Sequence, residues 1–171
     1  MVFTDDKEVA EKLKSIRVHG KGSSKYDNVR LGINGRLDTI QAAILLAKFE
    51  IFPDEIEKRQ NIAKRYNDAL KDKFYLQEVP AGYKSAWAQY SIRPKNGNRD
   101  YYLKLLKEND IPSAIYYPKP LHLQKVFSHL GYNKDDLLLS GKIAEDIFSI
   151  PFHPYLKEGD QNIIINLLVN C

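Results

Sequence analysis

Residues 86–118 read AWAQYSIRPKNGNRDYYLKLLKENDIPSAIYYP, and they pass from a β-prone run to a helical one and back. AWAQYSIRP is rich in aromatic and β-branched side chains and stops at KNGNR, a turn signal. RDYYLKLLKEND then places Tyr102, Leu105 and Leu106 at helical spacing. SAIYYP is β-prone again. A further short run, FYLQEV, lies upstream and is cut off by the turn residues PAGY. The order strand, strand, helix, strand predicts an α+β unit with a small, mostly antiparallel sheet and helices packed on it. Three more helical stretches follow, at roughly 120–130, 135–148 and 158–169. No internal repeat or low-complexity segment interrupts them.

Working toward the N-terminus, PDEIEKRQNIAKRYNDALKD is amphipathic, with Ile56, Ala63, Tyr66 and Leu70 on its inner face. Proline is favoured in the first turn of a helix and disfavoured inside one, so a new helix is predicted to start at Pro53. RLDTIQAAILLAKFEIF before it is apolar around most of its circumference. Leu37, Ile40, Ala43, Ile44, Ala47 and Ile51 mark it as a deeply buried helix. An earlier helix, capped by Thr4 or Asp5, carries Val9, Leu13 and Ile16 on one stripe and ends before Gly20. MVFT reads as a strand with no hairpin partner nearby.

Composition bounds the class. With 43% hydrophobic and 28% charged residues the 171-residue chain is globular, and no apolar run approaches the length of a bilayer span. The sequence shows no secretory signal, and the single Cys171 cannot form an internal disulfide; both point to a cytoplasmic protein without a membrane partner. Net charge is +4, concentrated early. Lys7, Lys12, Lys14, Arg17, Lys21, Lys25, Arg30 and Arg36 stand against only Glu8, Glu11 and Asp27 between residues 7 and 36. Such a local basic lip suits a small anion at least as well as a nucleic-acid track, which more often spreads charge along a face.

The lip contains GKGSSKYDNVRLGINGRLD at 20–38. It lacks the glycine, lysine and hydroxyl spacing of a phosphate loop, and no strand precedes it. Asn34-Gly35 has two readings: a bare turn with positive φ, or a site where Asn34 and Arg36 aim donors at an anion, helped by the N-terminus of a helix beginning near Leu37. In IYYPKP, alternation along a strand sends Tyr116 and Tyr117 to opposite faces, so one of them reaches solvent or a ligand. His19, His122, His129 and His153 show no metal-ligand spacing, and no nucleophile elbow is present.

The segments RVHGKGSSKYDNVRLGINGRLDTIQAAILLAKFEIF, KRQNIAKRYNDAL, IYYPKPLHLQKVF and SIPFHPYL resemble the C-terminal half of the DegT/StrS family of PLP-dependent nucleotide-sugar aminotransferases. Within it the chain is most similar to enzymes that aminate UDP-linked keto sugars for surface polysaccharides. The resemblance implies a homodimer and a division into residues 1–52, a remnant of the large cofactor domain, and residues 53–171, a small C-terminal α+β domain. It implies that Asn34 contacts the phosphate of pyridoxal 5'-phosphate held by a partner copy. Arg36, Tyr116 and Tyr117 would then contact the nucleotide sugar, although some relatives carry histidine at the position of Tyr116. Family members also have an upstream SFxxxK segment, whose lysine bonds the cofactor covalently, and an aspartate facing the pyridine nitrogen. Neither is in this sequence, and MVFT falls where a following strand would be. A truncated chain, inactive by itself, is the expectation; the alternatives are a noncatalytic nucleotide-sugar-binding or interaction module and, third, a nucleic-acid-binding domain.

Overall fold

A computed structural model describes residues 2–24 and 26–171. Met1 and Lys25, counted above in the N-terminal strand and the basic lip, lie outside the described residues. The chain divides into two compact units, Met1–Ile51 and Phe52–Cys171.

The first unit contains helix α1, Lys7–Arg17, and the beginning of α2, Thr39–Leu70. α1 starts where Asp6 turns its carboxylate onto the backbone N–H groups of Glu8 and Val9, at 2.8 and 3.1 Å. Asp6, rather than Thr4 or Asp5, is therefore the cap; Thr4 accepts from the Asp6 N–H instead. The MVFT strand does not form among the described residues: Val2 to Thr4 make no strand pairing or bridge, and Val2 and Phe3 are exposed. Without a strand beside them, Val2 to Thr4 have no ladder in which to satisfy their backbone groups.

α2 does not break at Pro53 but passes through it. Proline inside a helix loses one hydrogen bond and crowds the preceding turn, at a cost of about 3 kcal/mol. Good helical sequence on both sides absorbs it here. The predicted burial of the first half of α2 also fails: Ile40 is 76% exposed and Ile44 57%, with Leu37 and Ile51 likewise exposed. Only Ala42 between Thr39 and Phe52 is even half-buried. The pattern of a core helix is present, but no core surrounds it.

The second unit has its core. Strand β1, Phe74–Tyr75, pairs antiparallel with β2, Tyr90–Pro94, which pairs antiparallel with β3, Phe148–Ile150. The order β1-β2-β3 makes a small antiparallel sheet. Helix α3, Arg99–Glu108, two short 3-10 helices at Leu121–Leu123 and Lys125–Leu130, helix α4, Leu138–Asp146, and helix α5, Glu158–Val169, complete an α+β unit. Ala63, Tyr66 and Leu70 of α2 pack with Phe74, Tyr90, Ile92, Tyr102, Leu106, Phe148 and Leu168. The aromatic rings meet edge-on or offset, as at Phe74–Tyr102 with centroids 4.9 Å apart. Gln161, buried on α5, donates to the Ile62 carbonyl at 2.9 Å and accepts from Arg65 at 3.0 Å. Its amide is thus satisfied on both sides.

Two predicted elements move. SAIYYP contributes only a single bridge, Ala114 to Ser149 on the outer edge of β3. The third strand is instead Phe148–Ile150, at the end of the stretch predicted as helix. Residues 120–130 are helical only as 3-10 turns, because prolines at 118 and 120 start them and Gly131, at φ 77°, stops them.

Candidate functional site

The glycine-rich segment is tied down along its own length. After α1 the chain turns at Gly20 and returns antiparallel beside the helix end. His19 N–H donates to the Ile33 carbonyl at 3.0 Å, Ile33 N–H to Ile16 at 2.8 Å, and Gly35 N–H to Arg17 at 2.9 Å. Val18 and Asn34 face each other across this bridge. A Cβ on Gly32 would lie 2.0 Å from the Gly20 nitrogen, and one on Gly20 only 1.7 Å from the Arg30 carbonyl oxygen. Gly20 also sits at φ 73°, in the left-handed region. These two glycines therefore serve a backbone crossing within the chain.

The crossing presents Asn34 and Arg36. Neither Asn34 nor Gly35 adopts a positive φ, so the pair is not the turn that Asn-Gly commonly makes. Arg36 Nε donates to Asn34 Oδ1 at 3.1 Å, which orients the amide. The Asn34 N–H donors and the terminal Arg36 nitrogens then have no partner among the described residues, and both side chains are exposed. Amide and guanidinium donors on residues two apart suit phosphate oxygens in charge and in hydrogen-bond count. Lys14–Glu11 is the one ion pair among the described residues of this unit, leaving Arg17, Lys21 and Arg30 without acidic partners. The α2 N-terminus does not join the donors as expected. Asp38 Oδ1 accepts from Gln41 N–H at 2.8 Å and so occupies that end.

Tyr116 and Tyr117 lie in the second unit. Just before them the Ala114 bridge holds the chain to β3, with N–H to carbonyl distances of 3.1 and 2.7 Å. Past the bridge the chain leaves the sheet, so strand alternation no longer applies. Both rings are exposed, in an edge-on pair with centroids 5.8 Å apart. They open onto a groove of about 400 Å³ walled by Lys119, Leu121, Ser140 and Ile143. Two arginines fix the α4 wall: Arg99 Nη1 donates to the Ala144 carbonyl at 2.9 Å, and Arg93 pairs with Asp146 at 3.2 Å while stacking on Tyr75. Cations at a helix C-terminus also complement its dipole. The sequence reading placed a helix at 135–148 but gave neither it nor Lys119 a part in a site. Lys119 was in view within YYPKP, but a single lysine between prolines carries no spacing signal.

Comparison with known proteins defines the class. Over 170 residues the chain is 41% identical to a pleiotropic regulatory protein of Geobacillus stearothermophilus, covering 96% of this chain and 45% of that one. It is 38% identical to the UDP-2-acetamido-2-deoxy-3-oxo-D-glucuronate aminotransferase of Pseudomonas aeruginosa, covering 99% and 46%. A crystal structure of a DegT DnrJ EryC1 StrS aminotransferase from Brucella abortus superposes with a TM-score of 0.83 at 52% identity, over 97% of this chain and 44% of that one. The chain thus spans less than half the length of the relatives it matches. Residues 1–169 match the DegT/DnrJ/EryC1/StrS aminotransferase family, and the chain belongs to it.

Proposed function

We propose that this chain is the C-terminal part of a PLP-dependent aminotransferase acting on a nucleotide-linked keto sugar in surface polysaccharide biosynthesis. The observation that carries the reading is the match of 38% identity, over nearly the whole chain, to an aminotransferase named for a UDP-linked 3-oxo sugar. In the complete enzyme pyridoxal phosphate supplies the carbonyl that carries the amino group and the electron sink that makes its transfer feasible. The part played by this chain is contact and orientation. The Asn34 amide, set by Arg36, donates to the cofactor phosphate held in a partner copy. Arg36 contacts the nucleotide sugar, and Tyr116 and Tyr117 approach the substrate across the dimer. The lysine that holds the cofactor lies on polypeptide outside this chain, and 1–52 belongs with that large domain while 53–171 forms the small one. The complete enzyme is a cytoplasmic homo-oligomer.

The chain alone should show no turnover and no stoichiometric borohydride-trapped cofactor. Coexpressed with the remaining half of the family polypeptide, it should aminate a UDP-linked keto sugar from an amino donor. In that assembly Arg36→Ala should lower substrate use about ten- to a hundredfold, since a charge-assisted hydrogen bond contributes roughly 1.5–3 kcal/mol. Unchanged activity would remove Arg36 from the site, and trapped cofactor on the isolated chain would overturn its predicted inactivity.

A second reading is a noncatalytic nucleotide-sugar-binding or interaction module. Its support is the regulatory name of the Geobacillus stearothermophilus relative, 41% identical over 170 residues. An assembly that binds the UDP-sugar but yields no aminated product would favour it.

A further inference from the structure

Gln60, Ala63, Lys64, Asn67, Asp68 and Lys71 recur at intervals of three and four along and just past α2, and so share one of its faces. That face lines a groove of about 1040 Å³, all of it within the second unit. The groove is also lined by residues 76–79, which leave β1 without a turn or bend, and by the buried rings of Phe74 and Trp87. The sheet order leaves β1 with a neighbour on one side only. Residues 76–79 form no backbone hydrogen bond among the described residues, so a row of N–H and C=O groups is unpaired there. Two half-buried amides of the α2 face are each held by one atom. Gln60 Nε2 donates to the Ser85 carbonyl at 2.6 Å, and Asn67 Oδ1 accepts from the Tyr90 hydroxyl at 2.6 Å. Gln60 Oε1 and Asn67 Nδ2 have no partner among the described residues. The charges are uneven as well. Lys64 is taken up by Asp68 at 2.8 Å, whereas Lys71 and Lys95 have no acidic partner among the described residues. Lys95 Nζ donates to the Lys71 carbonyl at 2.8 Å and lies 5.8 Å from the centroid of Tyr75, so both lysines belong to the β1 end of the groove. Glu78 follows Tyr75 by three residues, about 10 Å at the rise of a strand.

We propose that this groove is a docking site for an extended, acidic peptide segment of another protein. The segment adds as a strand to residues 76–79, sets apolar side chains over Phe74 and Trp87, and places its acidic residues against Lys71 and Lys95. In strand addition, main-chain hydrogen bonds supply affinity and pockets for alternate side chains supply specificity. A basic segment would meet Lys71 and Lys95 with like charge. A nucleic acid would use the lysines and leave the unpaired backbone and the apolar floor idle. Lysines beside a free edge can also serve to keep other strands away, but that role has no use for the two unspent amides or for the rings beneath them.

The test is fluorescence anisotropy of the whole chain with a labelled peptide of about eight residues, alternating valine and threonine and ending in aspartates. It should bind about tenfold more tightly than the same peptide ending in lysines, since charge-assisted contacts replace like-charge ones. It should also slow amide exchange at residues 76–79. N-methylation of alternate peptide residues should abolish binding in one phase and spare it in the other, because a strand pairs with its neighbour through every second residue. Lys71 and Lys95 are both exposed, so Lys71→Glu with Lys95→Glu leaves the core intact and should invert the preference toward the lysine-ended peptide. Equal affinity for the two peptides, equal loss on methylating either phase, or unslowed exchange at 76–79 overturns the proposal. Tighter binding of oligothymidylate than of the acidic peptide at Lys71 and Lys95 would assign the lysines to nucleic acid and overturn it too. Coexpressed with the remaining half of the family polypeptide, the chain should bind the acidic peptide as tightly as it does alone. Loss of binding in that assembly would mean that the other half covers this edge; the docking site then falls while the aminotransferase reading stands.

Discussion

Among the described residues of the first unit only Gly20 is buried, whereas the second unit closes a core of fourteen hydrophobic side chains. The two units share one helix and differ in what surrounds it. From Thr39 to Ile51, α2 carries isoleucines, leucines and a phenylalanine that remain largely exposed. From Ile62 to Leu70 it carries fewer apolar side chains, and Ile62, Ala63, Tyr66 and Leu70 are all buried. Apolar content is therefore higher where burial is lower. Helix formation here depends on local sequence, but stability depends on having something to pack against.

That contrast predicts its own largest consequence. Val9, Leu13, Ile40 and Ile44 are exposed and would each gain up to roughly 1.5–3 kcal/mol on burial, on the order of 5–10 kcal/mol together. Such a sum rivals the stability of a whole domain, about 5–15 kcal/mol. The chain should therefore self-associate through its first unit at micromolar concentration in sedimentation equilibrium, and Ile40→Glu with Ile44→Glu should return it to monomer. A wild-type monomer with a protease-resistant N-terminus would erase the distinction between the units.

Next in size, Phe148→Ala in the second unit should cost about 3–5 kcal/mol in urea unfolding, as large-to-small core changes do. Ile40→Ala should stay within about 0.5 kcal/mol in a monomeric background, as exposed changes do. Equal losses at the two positions would mean that the first unit has a core after all.

Alkali should act on the second unit alone. Burial pushes the Tyr66 and Tyr90 phenols up from their ordinary value near 10. Above about pH 10 the unfolded chain releases protons that the folded chain retains, so stability is full below that value and falls as pH rises toward the folded ones. The urea midpoint should hold up to about pH 9 and drop from about pH 10 upward. Tyr90→Phe, which forfeits the hydrogen bond to Asn67, should reduce the drop.

A smaller effect sits at α4. Asp146→Ala should cost about 2 kcal/mol by removing a charged partner from the half-buried Arg93, and should speed amide exchange in residues 138–146 more than in α5. Equal acceleration in both helices would place the loss in the core rather than at the α4 wall.

The sequence made the second unit readable where periodicity and burial agree. Ala63, Tyr66 and Leu70 were marked by spacing and are buried; Tyr102 and Leu106 on α3 likewise. It misled where one signal serves two structures. FSI is three residues in an apolar run, and such a run does not distinguish a helix end from a buried strand. Pro53 signalled a helix start because the local rule counts one hydrogen bond, whereas the continuing helix counts all of them. Around the candidate site, the Asn34 and Arg36 spacing was visible, but the backbone bridge from Val18 that presents them joins residues sixteen apart, out of reach of any local pattern. The groove at Tyr116 depends on α4 and two distant arginines, and nothing near Tyr116 in the sequence points to them.

The crossing of Gly20 and Gly32 reaches beyond conformation to inheritance. With the missing Cβ positions 1.7 and 2.0 Å from backbone atoms, neither site has room for even a methyl group. Every missense change one nucleotide away from a glycine codon adds at least that methyl. At the level of the gene, these two codons therefore have synonymous neighbours and damaging ones, with no mild step between. A saturation library scored for folded protein should leave columns 20 and 32 empty of all but glycine. Column 141, where a Cβ would meet nothing within 4 Å, should fill.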